Sequence, residues 1–314
     1  MDFRKRQPSA ISSVLTAQDS HLNLRIAIVT YRHPVTGSRS FHDYGEDAEL
    51  LPEALSVRGF EPVVTSLEEL RTVQPQDFDV IYISNISPDS AEYDAHFFQE
   101  RMNFYARAEQ LNLPIYNGLE ADKDRNGKFY LVPLFKSGHE VIPTVDSPED
   151  IELLPVVDQY LSKPKLGFSS RGCVVVERNG LADEHFRERI VQPFYPDVVS
   201  EVGVYVIDGR CVYATSCPSK FTASGWDKLE ERNPLEDECR LALQFTRHMP
   251  NGIARVDLIR RADGTLKLLE IEDNSPYGAL PEPRMSAKTR ERALDALALS
   301  LKKRAQLAGR AGIV

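Results

Sequence analysis

The sequence predicts an α/β protein with a parallel sheet on its N-terminal side and antiparallel hairpins after it. Three observations carry this. Short apolar runs alternate with helical patterns across residues 24–117, the signature of strand–helix–strand units. Further along, Asp208-Gly209 and Asp263-Gly264 each separate two β-rich runs, as hairpin turns do. The 314 residues are 42% hydrophobic and 27% charged, an ordinary globular composition long enough for two or three packed subdomains.

Residues 1–22 are polar, lack periodicity and read as a mobile extension. Residues 25–31 are a short apolar run, a buried strand. Residues 43–58 carry Ala48, Leu51 and Leu55 at helical spacing, and Gly59 stops the helix. Residues 61–65 and 79–84 are the next strands, 93–111 a long helix and 113–116 a short strand. This alternation predicts a parallel sheet covered on both faces, with ligands beyond the carboxyl ends of its strands. The loop after the first strand, with Arg32, His33 and Arg39, is either a substrate-binding loop or a plain surface loop.

Asn117-Gly118 and Asn126-Gly127 signal turns, and Lys128 opens an apolar run in which Pro133 would disturb a helix unless it sat near the first turn. Residues 159–165 form a strand ending in Lys163 and Lys165. A Gly/Ser loop follows, with Gly167, Ser169, Ser170 and Gly172, and then the β-branched strand 173–177. Backbone N–H groups and hydroxyls in such a loop can donate to phosphate oxygens while Lys163 supplies charge. The alternative is an ordinary hairpin, and no Walker pattern is present. Residues 190–196 are a strand broken by Pro193 and Pro196, and 201–215 a hairpin tipped by Asp208-Gly209. A polar loop with Cys217 and Lys220, a helix over 235–248 and an acidic hairpin come next. The chain then ends in an amphipathic helix over 287–308 whose basic residues read as a solvated face.

The acidic hairpin is the most informative stretch. Glu270 and Glu272 are two apart on a strand and share a face, and the turn at Asp263-Gly264 can bring Asp257 across from them. Three carboxylates on one face repel each other unless a cation lies between them, and hard oxygen ligands suit Mg²⁺. The alternative is a solvated acidic edge.

Composition narrows the partners. A net charge of −9 argues against nucleic acid, which needs a basic footprint. No run of about 18 apolar residues predicts a membrane span, and the N-terminus lacks the apolar core of a signal peptide. Cys173, Cys211, Cys217 and Cys239 show no CxxC spacing and read as reduced thiols of a cytoplasmic protein, with Cys217 exposed in its loop.

Taken in order, these pieces resemble the ATP-grasp superfamily over residues 24–305. They are similar to glutathione synthetase and the ribosomal-protein glutamate ligases, with D-alanine–D-alanine ligase a more distant relative. The resemblance rests on Lys128 ahead of Pro143 and on Lys163-Pro-Lys-Leu-Gly167 before the Gly/Ser loop. It rests also on Gln192-Pro193-Phe194-Tyr195-Pro196, Glu201, and Arg255-x-Asp257…Glu270-x-Glu272 running into Asp273-Asn274-Ser-Pro276. It implies an ATP-grasp fold: an N-terminal parallel-sheet domain over 23–118, and two α+β subdomains over 119–190 and 191–314 that clasp ATP. Lys128 and Lys163 would meet the phosphates. Gln192, Pro193, Phe194 and Tyr195 would hold adenine, and Glu201 the ribose. Asp257, Glu270 and Glu272 would hold Mg²⁺.

Three positions depart from the pattern. Glu272 stands where Asn is usual, an extra charge that favours a second metal or shifts the preference toward Mn²⁺. Val202-Gly203 replaces a basic pair. Lys220 replaces the usual Asn of the loop before Gly225 and is the candidate phosphate contact there.

The resemblance implies a ligase. ATP phosphorylates a carboxylate, and an amine then displaces phosphate to leave an amide. Arg255 would stabilise the transferring group. Arg32, Arg39 and Asn274 are candidates to bind a carboxylate or amine substrate, an amino acid or short peptide, and a homodimer is implied by family habit. The competing readings are a small-molecule kinase on the same fold and a nucleotide-binding protein without turnover.

Overall fold

The structure is a computed structural model that describes residues 24–30, 46–66, 69, 77–83, 99, 103–108, 110, 111, 113, 115, 116, 127–165, 172–218, 228–247, 252–272 and 285–311. The extension over 1–22, the loop with Arg32 and Arg39, and Gly167, Ser169, Ser170, Lys220 and Asn274 lie outside these residues.

The predicted strands of the N-terminal region pair as expected. β1 (Leu24–Thr30), β2 (Phe60–Ser66), β3 (Val80–Ile83) and β4 (Ile115–Tyr116) form a parallel sheet in the order β2-β1-β3-β4. Parallel neighbours need a crossover, and α1 (Glu46–Ser56) supplies the first one. Its Leu51 and Leu55 are fully buried with Ile26, Ile28 and Phe60 on one side of the sheet. Gly59 ends the turn after α1 at a φ of +85°, a conformation that a Cβ disfavours. On the sheet's other face, Tyr105 and Ala108 of the helical residues 103–108 pack on Ala27, Val29, Ile81 and Ile83.

The second sheet is antiparallel and five-stranded. β10 (Glu230–Arg232), β9 (Arg210–Cys217), β8 (Val198–Ile207), β11 (Ile253–Arg261) and β12 (Leu266–Glu272) follow one another in that order. Asp208 and Gly209 join β8 to β9 at φ of 49° and 68°, the left-handed pair that a two-residue turn requires. The β11–β12 turn is longer than the tight Asp-Gly turn expected. Ala262, Asp263 and Gly264 bridge Arg261 and Thr265, with Gly264 at +85°. One face of this sheet is apolar: Val202, Val204, Val256 and Leu258 meet Leu241, Ala242 and Phe245 of α3 (Glu236–Thr246).

The third sheet is small and antiparallel, in the order β6 (Val174–Glu177), β5 (Gln159–Pro164), β7 (Arg189–Pro193). The boundary expected at residue 190 falls inside β7, because this strand pairs with β5 along its whole length. Lys128–Tyr130 form one 3₁₀ turn leading into α2 (Leu131–Lys136), whose Pro133 sits in the first turn, where a missing N–H costs little. Residues 141–145 then strap the two antiparallel sheets together: Val141 bridges to Leu268 of β12, and Val145 to Val191 of β7.

The C-terminal helix α4 (Ala287–Ala311) corrects one expectation. Its Leu294, Leu297 and Leu301 share a single core with Tyr82 and Tyr116 of the parallel sheet and Tyr205 and Tyr213 of the antiparallel one. Wedged between sheets, it turns part of its basic face toward partners, while Lys288 and Arg292 stay exposed. Lys303 Nζ lies 2.8 Å from Asp208 Oδ2 at the β8–β9 tip, and Arg304 Nε donates to the Ile115 carbonyl at 2.9 Å. Cys217 is a second correction: it is buried as the last residue of β9, opposite Glu201. Among the described residues no helix is long and apolar enough to cross a membrane.

Candidate active site

The site grows from the pairing of β11 with β12. Directly opposed residues of neighbouring strands point to the same face. Arg255 opposes Glu272, and Asp257 opposes Glu270. Between Asp257 and Leu258 the register slips: Leu258 opposes Leu268, so Leu269 is an extra residue on β12. The bulge lets Leu266 and Leu268 stay on the core face before it and Ile271 after it. Both glutamates therefore join Asp257 on the open face. Asp257, Glu270 and Glu272 can each place a carboxylate oxygen within 4.8 Å of the others. Three hard oxygen donors at that spacing fit Mg²⁺.

Two cations already touch these carboxylates. Arg255 donates from Nε to Asp257 Oδ1 at 2.8 Å and from Nη2 to Oδ2 at 2.9 Å, a bidentate pair. The same Nη2 lies 2.6 Å from Glu272 Oε2. Lys128 Nζ lies 3.1 Å from Glu270 Oε2. The 3₁₀ turn that carries Lys128 is anchored to β12, because the Ile271 N–H donates to the Tyr130 hydroxyl at 2.7 Å. Lys128 and Lys163 are both nearly buried, with 7% and 6% of their surface exposed, an environment lysines enter only beside partners. Lys128 N–H also donates to the Lys165 carbonyl at 2.8 Å, tying the turn to the end of β5.

Beside this cluster a cleft opens between the small sheet and the open face of the large one. Lys163, Gln192, Pro193, Phe194, Tyr195 and Glu201, all singled out from the sequence, line it together. Ile142, Leu161, Val198, Ile259 and Leu269 supply its apolar walls and were not expected. The bulge residue Leu269 thus serves the cleft. The step of three between Leu268 and Ile271, in a strand otherwise alternating by two, was the sequence signal for it.

The hinge at residues 192–195 is held from both sides. Gln192 is buried and donates from Nε2 to Thr144 Oγ1 at 2.9 Å, so its side chain braces the strap at residues 141–145. Phe194 N–H donates to the Gln159 carbonyl at 2.9 Å. The Tyr195 ring lies 4.3 Å beneath the Arg261 guanidinium, which Asp197 holds in a bidentate pair. Burial pushes the Tyr195 hydroxyl above its usual value, against the pull of Arg261.

Three further residues of the open face were given no role by the sequence reading: Tyr205, Thr215 and Gly203, the last noted only as replacing part of a basic pair. Gly203 opposes both Asp257 and Thr215, and an added Cβ would meet Thr215 Oγ1 at 3.0 Å, Arg255 Cδ at 3.2 Å and Asp257 Oδ1 at 3.2 Å. Tyr205 opposes Arg255 and hydrogen-bonds it. Burial raises the Tyr205 hydroxyl, which keeps its proton, and its ring stacks on Tyr213 at 4.1 Å. All three lie at steps of two from Glu201 or across a register line from it, which period-two reading could have found. Gly172 closes the far end of the Gly/Ser loop at a φ of +68°. Its carbonyl accepts from Arg189 Nη2 at 2.6 Å, and the same guanidinium grips Ser162. Burial raises the Cys173 thiol beside it, and the charges of Lys163 and Lys128 pull it back down.

The architecture is that of the ATP-grasp fold, two antiparallel sheets closing on a cleft after a parallel-sheet region. No family model matches the sequence, and no curated protein matches it. Solved structures do. A D-cycloserine synthetase, DcsG, superposes with a TM-score of 0.67 at 24% identity, covering 88% of this chain and 99% of that one. The ATP-grasp ligase PsnB, complexed with precursor peptide PsnA2 and AMPPNP, gives 0.60 at 18%, covering 90% and 99%. D-alanine–D-alanine ligase from Bacillus anthracis, complexed with ATP, gives 0.56 at 15%, covering 90% and 99%.

Proposed function

We propose that the protein is an ADP-forming carboxylate–amine ligase acting on an amino acid or short peptide. The observation that carries the reading is the joining of two things on one sheet face. A cleft lined by an apolar wall, a hinge and a carboxylate lies beside a cluster of three carboxylates and two buried cations. That is the order of parts an adenine, a ribose and a metal-bound triphosphate demand. The structural likenesses support it: DcsG is a synthetase, PsnB and the D-alanine enzyme are ligases, and two of the three were solved with an adenine nucleotide.

Adenine lies against Leu161, Ile142, Ile259 and Leu269, with the backbone of residues 193–195 reading its edge and Glu201 taking the ribose hydroxyls. Lys163 and Lys128 meet the phosphates as point charges. Asp257, Glu270 and Glu272 would hold Mg²⁺, or Mn²⁺ in its place, which would supply neutralisation of the phosphate charge. Arg255 turns its guanidinium toward the transferring phosphoryl group, where charge builds on the equatorial oxygens. No side chain need act as a covalent nucleophile. The substrate carboxylate attacks the γ-phosphorus and expels ADP, and the amine then attacks the acyl phosphate, expels phosphate and loses a proton to leave the amide. The protein orients the partners and keeps water from the acyl phosphate.

The test is release of ADP and phosphate with Mg²⁺ and ATP across pairs of amino acids and small carboxylates, with mass spectrometry of the product. Two-substrate dependence and an amide-sized product are expected, and Asp257→Asn abolishes the release while the variant stays folded. A phosphorylated product from one substrate would instead mark a kinase.

A further inference from the structure

The carboxylate cluster carries its own counter-ions, and this has a consequence for how it takes up metal. Arg255 occupies both oxygens of Asp257 and one of Glu272, and Lys128 occupies Glu270. Each of the three carboxylates therefore already has a cation within 3.1 Å. Three negative charges against two positive leave the cluster with one net negative charge. Asp257 and Arg255 are 3% and 8% exposed, so the effective dielectric is low and like charges repel strongly.

We propose that Arg255 and Lys128 are resident cations that compete with the metal for the same oxygens, so that metal binds tightly only when nucleotide phosphates draw both side chains away. The proposal rests on the ligase reading and concerns the regulation of the same site. A divalent ion entering the nucleotide-free cluster meets carboxylates already paired with two tethered cations. A triphosphate supplies an anion to receive both cations. The guanidinium and the ammonium transfer to phosphate oxygens, and Asp257, Glu270 and Glu272 are released to the metal. Metal and nucleotide then bind with positive coupling, and by linkage each tightens the other by the same factor. Lys128 sits on the turn anchored to β12 and Arg255 on β11, so both cations reach the cluster from fixed backbone. The protein would carry little metal at this site without nucleotide, and an empty cleft would not hold a reactive metal open to water.

The experiment is Mn²⁺ binding to the nucleotide-free protein, followed by loss of the free-ion EPR signal, for wild type, Arg255→Met and Lys128→Met. Each variant removes one competing cation at nearly constant volume and is expected to bind Mn²⁺ at least tenfold tighter than wild type. The two substitutions lie on different elements, so misfolding of one leaves the other as the test. A purely structural role for Arg255, holding Asp257 in place, gives the opposite sign: weaker binding on its loss. Variants that bind no tighter than wild type overturn the proposal. So does a wild type that binds Mn²⁺ as tightly without AMPPNP as with it, and that result leaves the ligase reading standing. No Mn²⁺ uptake in either state overturns the metal assignment on which both rest.

Discussion

Gly203 is where the absence of a side chain does the most. Thr215, Arg255 and Asp257 converge over its Cα, with the nearest atom 3.0 Å from where a Cβ would stand. The Arg255–Asp257 pair can lie flat across the sheet only because β8 leaves that space. Gly203→Ala is therefore expected to push Asp257 or Arg255 out of place by a few tenths of an ångström. Small displacements of that kind lower turnover by on the order of ten- to a hundredfold, while ADP affinity in the absence of metal stays unchanged. Adding Thr215→Ala removes the nearest obstacle and restores part of the activity, a coupling between touching residues that kinetics on the double variant would read. Wild-type turnover in Gly203→Ala would show that the cluster has slack there. At this scale the sequence was legible wherever a residue's chemistry announced itself. Lys128, Lys163, Glu201, Asp257 and Glu270 were all singled out, and all line the same face or its cleft. Tyr205, Thr215 and Leu269 were not, because an apolar or hydroxyl residue in a strand looks the same whether it faces core or ligand until the register is known.

At the scale of elements, α3 depends on one buried charge. Glu238 has no exposed surface, yet it accepts from Arg232 Nη1 and Nη2 at 2.7 and 2.6 Å, from Arg260 Nη2 at 3.0 Å and from the Leu235 N–H at 2.8 Å. The last bond caps the helix. The others tie α3 to β10 and β11. Burial pushes the Glu238 carboxyl up, but Arg232, the Leu235 amide and Arg260 together outweigh it and hold it below the usual 4.5. A depressed carboxylate stabilises the fold above the unfolded value and loses that contribution as pH falls through the folded one. Breaking a buried pair costs roughly 3–5 kcal/mol, and the partial exposure of both arginines brings Glu238→Gln toward about 2–3 kcal/mol. Denaturant titrations should show that deficit at pH 7 and see it narrow below pH 4.5. A deficit independent of pH would mean that shape, not charge, holds α3. The β12 bulge belongs to this scale too. Strands and turns were legible from alternation and from Asp-Gly pairs. The bulge went unread, because the step of three from Leu268 to Ile271 identifies one only once the partner strand is known.

For the whole molecule, the order β2-β1-β3-β4 and the wedging of α4 between two sheets were beyond local periodicity, which says what an element is but not whom it meets. The predicted solvated face of α4 holds at Lys288 and Arg292 and fails at Arg304 for that reason. Tyr116, which donates to Ser300 Oγ at 2.9 Å, and Asp208, which Lys303 meets at 2.8 Å, fix the end of the parallel sheet against the hairpin tip. This sets the sheet whose strand ends face ligands, by the general habit of parallel sheets, on one body with the metal face. The proposed reaction joins a carboxylate to an amine through a mixed anhydride with phosphate. The measurement that tests this most directly follows the carboxylate's oxygen. With the substrate pair identified and its carboxylate labelled with ¹⁸O, the attacking oxygen remains bonded to phosphorus when the amine expels phosphate. Mass spectrometry should then find one ¹⁸O in the released phosphate for every amide formed. Unlabelled phosphate beside a labelled amide would mean that the carboxylate never met the γ-phosphorus, and the ligase reading would fall.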